Sequence, residues 1–209
     1  MKQILCYGDS NTHGYDAFTG GRLDYPRRWT GRVQKALGEQ ALLCEAGLNG
    51  RTCGFEDPEV PGRNGRAMLN CALQTHKPLD AVVLMLGTND CKTCYRADGP
   101  AIAGEMEKLV EQVAQFARLT GCAARTLVVA PPPLGAESTA FRDFDAQSLA
   151  VSRSLAALYR DLAARHGAAF ADAGTWDIPL DFDGTHFTPE GHRRFALRME
   201  AELRTLLEL

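Results

Sequence analysis

A three-layer α/β/α sandwich around a central parallel sheet is the fold class this chain predicts, on three observations. Strand-length apolar runs recur along it, mostly continuous rather than alternating, as in strands covered on both faces. Longer segments with apolar residues every three or four positions lie between them, most ending at a glycine. No repeat, low-complexity tract or linker divides the 209 residues, so residues 1–209 read as one domain.

The first strand is Gln3 to Tyr7, where Ile4-Leu5-Cys6-Tyr7 runs into Gly8. Tyr15 to Arg28 is irregular. Trp29 to Leu37 is a helix stopped by Gly38, and Ala41 to Glu45 is the second strand. Gly54 to Arg66 reads as a second irregular stretch. Ala81 to Leu86 is the most hydrophobic strand. Ile102 to Leu119 carries Met106, Leu109, Val110, Val113, Phe116 and Ala117 on one helical stripe and ends at Gly121. Thr126 to Ala130 is the fourth strand. The irregular stretch Pro131 to Asp145 follows, opening on the stiff Pro131-Pro132-Pro133-Leu134, which is expected to form one wall of a cleft. Leu149 to Arg165 repeats the helical stripe through Leu155, Leu158, Tyr159 and Leu162 and ends at Gly167. Ala168 to Ala171 is a weaker strand. Thr188 caps a last helix, with Pro189 in its first turn, that runs to about Leu207.

Composition narrows the function classes. The chain is 45% apolar and 23% charged, with a net charge of -3 and both signs interspersed, so neither disorder nor a nucleic-acid or membrane footprint is expected. The arginines at 27, 28 and 32 are too few for a basic stripe and read as a solvated loop and helix face. No signal or membrane segment is visible, and a cytoplasmic location with free reduced thiols is the expectation for the seven cysteines. Cys91-Lys92-Thr93-Cys94 lacks the second ligand pair that a structural zinc site needs.

Four short motifs can carry chemistry. Gly8-Asp9-Ser10-Asn11 follows the first strand, and ligands of open α/β sheets bind beyond the strands' carboxyl ends. Ser10 is there a candidate nucleophile, although Gly-Asp-Ser also makes simple turns. In Asp183-Gly184-Thr185-His186 the carboxylate can fold back onto Nδ1 of the imidazole and leave Nε2 free as a base. Gly87-Thr88-Asn89-Asp90 follows the third strand, where the Asn89 amide can donate to a developing oxyanion; a turn with Asp90 as a helix cap is the plainer reading. Gly47-Leu48-Asn49-Gly50-Arg51-Thr52 follows the second strand, and a glycine there can present its backbone N–H to a cleft. Each motif alone has a bland reading as a turn. Four in this order make a nucleophile, oxyanion donors, a base and its orienter.

These blocks resemble those of the SGNH/GDSL hydrolases. The resemblance spans Ile4 to about the last helix and is closest to the bacterial arylesterase/acyltransferase branch, through Ile4 to Ser10, Arg28-Trp29-Thr30-Gly31, Leu84 to Asp90, Pro131 to Leu134 and Asp172-Ala173-Gly174. It implies the flavodoxin-like SGNH fold, with Ser10 as nucleophile, His186 as base and Asp183 as orienter. The oxyanion hole would comprise the N–H groups of Ser10 and Gly50 and the Asn89 side chain. It implies a serine esterase acting on short-chain acyl esters (acetyl, aryl or carbohydrate), with acyl transfer as a side activity, no metal or cofactor, a small-molecule ester as partner and a homo-oligomeric state. His13 and Tyr15 stand where the acyltransferase relatives carry tryptophans, and this more polar wall favours hydrolysis.

The remaining groups have structural readings. Asp9 is expected to pin its turn through backbone hydrogen bonds. His192 is expected on a solvated helix face, His13 on the cleft, and His76 and His166 at the surface. Trp29 and Phe187 read as packing residues. Two other functions use the same residues. A metal-dependent phosphoesterase would take Asp9, Asn89, Asp90, Asp183 and His186 as ligands, but the close Asp-x-His and Gly-Asn-His patterns of a two-metal site are missing. A non-enzymatic flavodoxin-like binding module would need a phosphate loop, and no Gly-x-Gly-x-x-Gly or P-loop is present.

Overall fold

The computed structural model describes residues 1–57 and 59–209. Five strands, β1 (Lys2–Gly8), β2 (Ala41–Gly47), β3 (Ala81–Met85), β4 (Arg125–Ala130) and β5 (Ala169–Asp172), form one sheet in the order β2-β1-β3-β4-β5. All four pairings are parallel, with Ile4 opposite Leu43 on one side and Ala81 on the other. The helices are α1 (Ser10–His13), α2 (Trp29–Leu37), α3 (Gly65–Thr75), α4 (Gly99–Thr120), α5 (Ala146–His166) and α6 (Pro189–Leu207). Among the described residues no helix is long and apolar enough to cross a membrane.

Side-chain alternation along each strand divides the core in two. Leu5, Tyr7, Val82, Leu84 and Val128 face α3, α4 and α5. Ile4, Cys6, Val83, Met85, Leu127 and Val129 face α2 and α6. Both faces are therefore covered, which is why the strands read as unbroken apolar runs. Trp29 and Phe187 are buried in the second core, as their residue types suggest.

Strand positions agree with the sequence to within two residues, and α2 and α6 agree at both ends. Two helices start three residues before their apolar stripes. Asp98 accepts from the Ala101 N–H at the head of α4, and Asp145 forms a capping box with Ser148 at the head of α5. The helix α3 lies partly in the stretch read as irregular (Gly54 to Arg66, of which Pro58 lies outside the described residues). Asn64 caps it, accepting from the Ala67 N–H, and it buries only Gly65, Leu69 and Leu73. So narrow a stripe gives little helical signal.

The strand order places a topological switch at β1, because the chain leaves it for β2 on one side and continues with β3 on the other. Crevices form at such points beyond the carboxyl ends of the strands. The segments after β1, β2 and β3 meet there.

Candidate active site

The chain turns directly from β1 into α1. The Asp9 carboxylate accepts from the Asn11 N–H at 2.9 Å, and Gly14 closes the turn in the left-handed region by donating to the Ser10 carbonyl. Asp9 thus pins the turn. Burial raises its carboxyl to about 6, against the hydrogen bond from Asn11. Ser10 is the first residue of α1, where a helical N–H has no partner within the helix.

His186 reaches Ser10 from a loop between β5 and α6. Its Nε2 is 3.0 Å from Ser10 Oγ, and its Nδ1 is 2.5 Å from Asp183 Oδ2. The other Asp183 oxygen accepts from the N–H groups of Thr185 at 2.9 Å and His186 at 3.0 Å. Burial works to raise this carboxyl, but these donors and the imidazole outweigh it and hold it at about 2. Asp183 is therefore ionised at neutral pH and holds the imidazole with Nδ1–H toward itself. The ring of Tyr15 lies against His186, with centroids 4.6 Å apart.

The loops after β2 and β3 are tied together. Asn89 is buried and gives one amide hydrogen to the Arg51 carbonyl at 3.1 Å, leaving the other to donate. Asp90 accepts from the Cys53 N–H at 2.8 Å; it is buried, which raises its carboxyl to about 7. Arg51 lies over the Tyr7 ring at 4.0 Å and donates to the carbonyls of Gly8 and Ala46, joining the ends of β1 and β2. Gly50 has φ +74 and Gly87 φ +124, backbone that L side chains rarely adopt. A Cβ on Gly87 would also stand 2.5 Å from the Tyr159 hydroxyl.

A cleft of about 430 Å³ joins Ser10, Gly50, Asn89, Asp183 and His186, so every site residue expected from sequence borders one space. Its outer walls are Tyr15, Phe141, Phe144 and Phe182, with Lys92 paired to Asp143 at 2.8 Å. None of these but Tyr15 carries a local signal, because which loop residue faces a cleft is decided by tertiary packing.

Several expectations are corrected. Pro131 to Leu134 do not line the cleft; Pro131 and Leu134 are buried, and the next residue, Gly135, supports the base loop from behind by donating to the Gly184 carbonyl at 2.8 Å. His13 does not line it either, because its segment turns Tyr15 inward. His192 is fully buried rather than solvated; its Nδ1 accepts from the Trp29 N–H, and burial lowers its pKa to about 3, so the ring is neutral. Arg28 is half-buried and pairs with Glu45 at 2.9 Å instead of lying on a solvated face. Cys91 is buried and donates to the Gly87 carbonyl, while Cys94 is exposed; all seven thiols are free.

The candidate metal ligands make other hydrogen bonds: Asp183 to His186, Asp9 to the Asn11 N–H, one oxygen of Asp90 to the Cys53 N–H and Asn89 to the Arg51 carbonyl. Among the described residues no group of three or more His, Cys, Asp or Glu is placed to hold a metal ion.

A serine, an imidazole and a carboxylate in one hydrogen-bonded line, at the carboxyl edge of a parallel sheet, have the arrangement of a hydrolase. The GDSL-like Lipase/Acylhydrolase family model matches residues 6–194, and the chain belongs to that family. Its fold matches a carbohydrate acetylesterase family member from Sinorhizobium meliloti with a TM-score of 0.92 and 39% identity over 100% of both chains. Est24, a carbohydrate acetylesterase from the same organism, matches with 0.91 and 35% over 99% of this chain and 100% of the other. The native aryl esterase of M. smegmatis matches with 0.89 and 36%, again over 99% and 100%. No curated protein matches. The chain is a carboxylic ester hydrolase.

Proposed function

We propose that the protein is a serine esterase that cleaves short-chain acyl esters through an acyl-enzyme on Ser10. The observation that carries this reading is the continuous line from Asp183 through His186 to Ser10, at 2.5 and 3.0 Å. His186 Nε2 takes the Ser10 proton as Oγ attacks the ester carbonyl. The oxyanion receives hydrogen bonds from the N–H groups of Ser10 and Gly50 and from the free amide hydrogen of Asn89. The imidazolium then protonates the leaving alcohol as the carbon–oxygen bond breaks. Water attacks the acyl-enzyme, gives a proton to Nε2, and Ser10 regains it as the acid departs. Asp183 stays ionised throughout and stabilises the imidazolium.

The cleft is small, and its apolar walls of Phe141, Phe144, Phe182 and Tyr15 suit a short acyl group with an aryl or carbohydrate alcohol. Tyr15 keeps a polar hydroxyl on this wall, so hydrolysis is the main reaction and acyl transfer to a bound alcohol is a side activity. The test is an activity profile over p-nitrophenyl esters of increasing chain length and over acetylated carbohydrates, with Ser10→Ala as control. Turnover should peak at acetyl or propionyl esters and vanish in the control. A peak at long chains, or activity in the control, refutes the reading.

A further inference from the structure

We propose that Asn11 is a positioning residue that holds His186 in line with Ser10. The inference rests on the serine esterase reading above. Ser10 and His186 are 176 residues apart and come from elements that do not pair with each other. The base loop shapes itself internally. The Asp183 carboxylate accepts from the Thr185 and His186 N–H groups, and Asp181 N–H donates to the His186 carbonyl at 2.7 Å. None of these bonds places the loop relative to the nucleophile.

Among the described residues, two hydrogen bonds besides the reacting pair cross from the turn at 8–14 to the loop at 181–187. Both belong to the Asn11 carboxamide. Its Oδ1 accepts from the Phe187 N–H at 2.9 Å, and its Nδ2 donates to the Thr185 carbonyl at 3.2 Å. The partners fix the orientation of the amide, since a backbone N–H only donates and a carbonyl only accepts. The two partners flank His186 on either side, so the amide grips the loop at two points. Asn11 is 3% exposed, and its own N–H is held by Asp9. The grip therefore belongs to the same short helical turn that carries Ser10.

A shift of the loop backbone at 185–187 away from Ser10 must stretch one of these bonds. Displacements of about 1 Å in a reacting geometry cost on the order of 100-fold in rate. Asn11 does not border the cleft and makes no hydrogen bond to the imidazole, so it acts through the backbone of residues 185 and 187. An aspartate can still accept from the Phe187 N–H, but its second oxygen meets the Thr185 carbonyl as acceptor against acceptor. A leucine of similar volume fills the space and removes both bonds.

The test compares Asn11→Leu and Asn11→Asp with the wild type. Active sites are titrated with an organophosphonate, and kcat for p-nitrophenyl acetate is expressed per titrated site. The expected result is a fall in kcat of about 100-fold for Asn11→Leu and about tenfold for Asn11→Asp, with KM within threefold. The downfield NMR signal of the His186 Nδ1 proton should persist in both variants, because the bond to Asp183 is internal to the loop. A kcat per site within twofold of wild type overturns the inference. So does loss of the Nδ1 signal together with activity, which would make Asn11 a folding residue. If Asn11→Leu does not fold, the isosteric aspartate decides alone. A wild type that the organophosphonate does not label at Ser10 sinks the serine esterase reading itself. Labelled variants with wild-type kcat sink only the role of Asn11.

Discussion

The two halves of the site are built differently. Ser10 stands at the end of a strand buried on both faces, in a turn fixed by Asp9 and Gly14. His186 stands on a loop that pairs with no strand of the sheet; an isolated bridge between Leu180 and Phe187 closes it, and Asp183 folds it from within. The contrast repeats in the two carboxylates. Asp9 is buried with one backbone donor from Asn11, and its carboxyl rises to about 6. Asp183 has three donors, and its carboxyl falls to about 2. A sheet end supplies position by itself, whereas a loop must obtain it from hydrogen bonds. One carboxylate therefore serves the fold and the other the chemistry.

Substitutions separate these roles. Ser10→Ala should reduce ester hydrolysis by about 10⁵-fold or to background while the circular dichroism spectrum is unchanged, since only the hydroxyl is lost. Asp183→Asn should reduce kcat by roughly 10³ to 10⁴-fold, because the amide no longer holds the Nδ1–H tautomer. Asn89→Ala should cost about 10² to 10³-fold, mostly in kcat, as one oxyanion donor goes. Asp9→Asn keeps an acceptor for the Asn11 N–H and should cost less than about tenfold. Steady-state kinetics on one ester rank all four. If Asp9→Asn proves more damaging than Asp183→Asn, the division between fold and chemistry is wrong.

The pH dependence of stability should separate the two carboxylates with opposite signs. The Asp183 carboxyl is depressed in the folded state, so its contribution is present above about pH 4 and is lost as pH falls through 3.8 toward 2. The Asp9 carboxyl is raised, so folding is favoured below about pH 4 and the benefit is lost as pH rises through 6. Each amounts to roughly 2–3 kcal/mol. Urea unfolding from pH 2 to 8 reads both. Relative to wild type, Asp9→Asn should gain stability at pH 8 and Asp183→Asn should lose it. Parallel curves for the two variants would contradict the opposite shifts.

How much of this was visible in the chain follows from the range of each interaction. The strands and the amphipathic helices show in local pattern, and Asp183 with His186 shows in a three-residue spacing. Asn89 and Gly50 become candidates because each closely follows a strand. The helix α3 is hidden because its buried stripe is short and its cap, Asn64-Gly65, also reads as a turn. His192 reads as polar on a helix, yet its neutral ring is buried against the head of α2, a contact 163 residues away in sequence. The bonds of Asn11 span 174 and 176 residues. The aromatic wall of the cleft depends on how long loops fold over the sheet edge, and no spacing records that.

Mass spectrometry of the organophosphonate adduct tests the covalent role of Ser10 most directly. One adduct per chain should form, with the modified peptide carrying it on Ser10, and hydrolysis should fall in step with labelling. In Ser10→Ala no adduct should form, and in His186→Ala labelling should be far slower. An adduct on another residue, or full esterase activity in a chain labelled at Ser10, is incompatible with an acyl-enzyme at that serine.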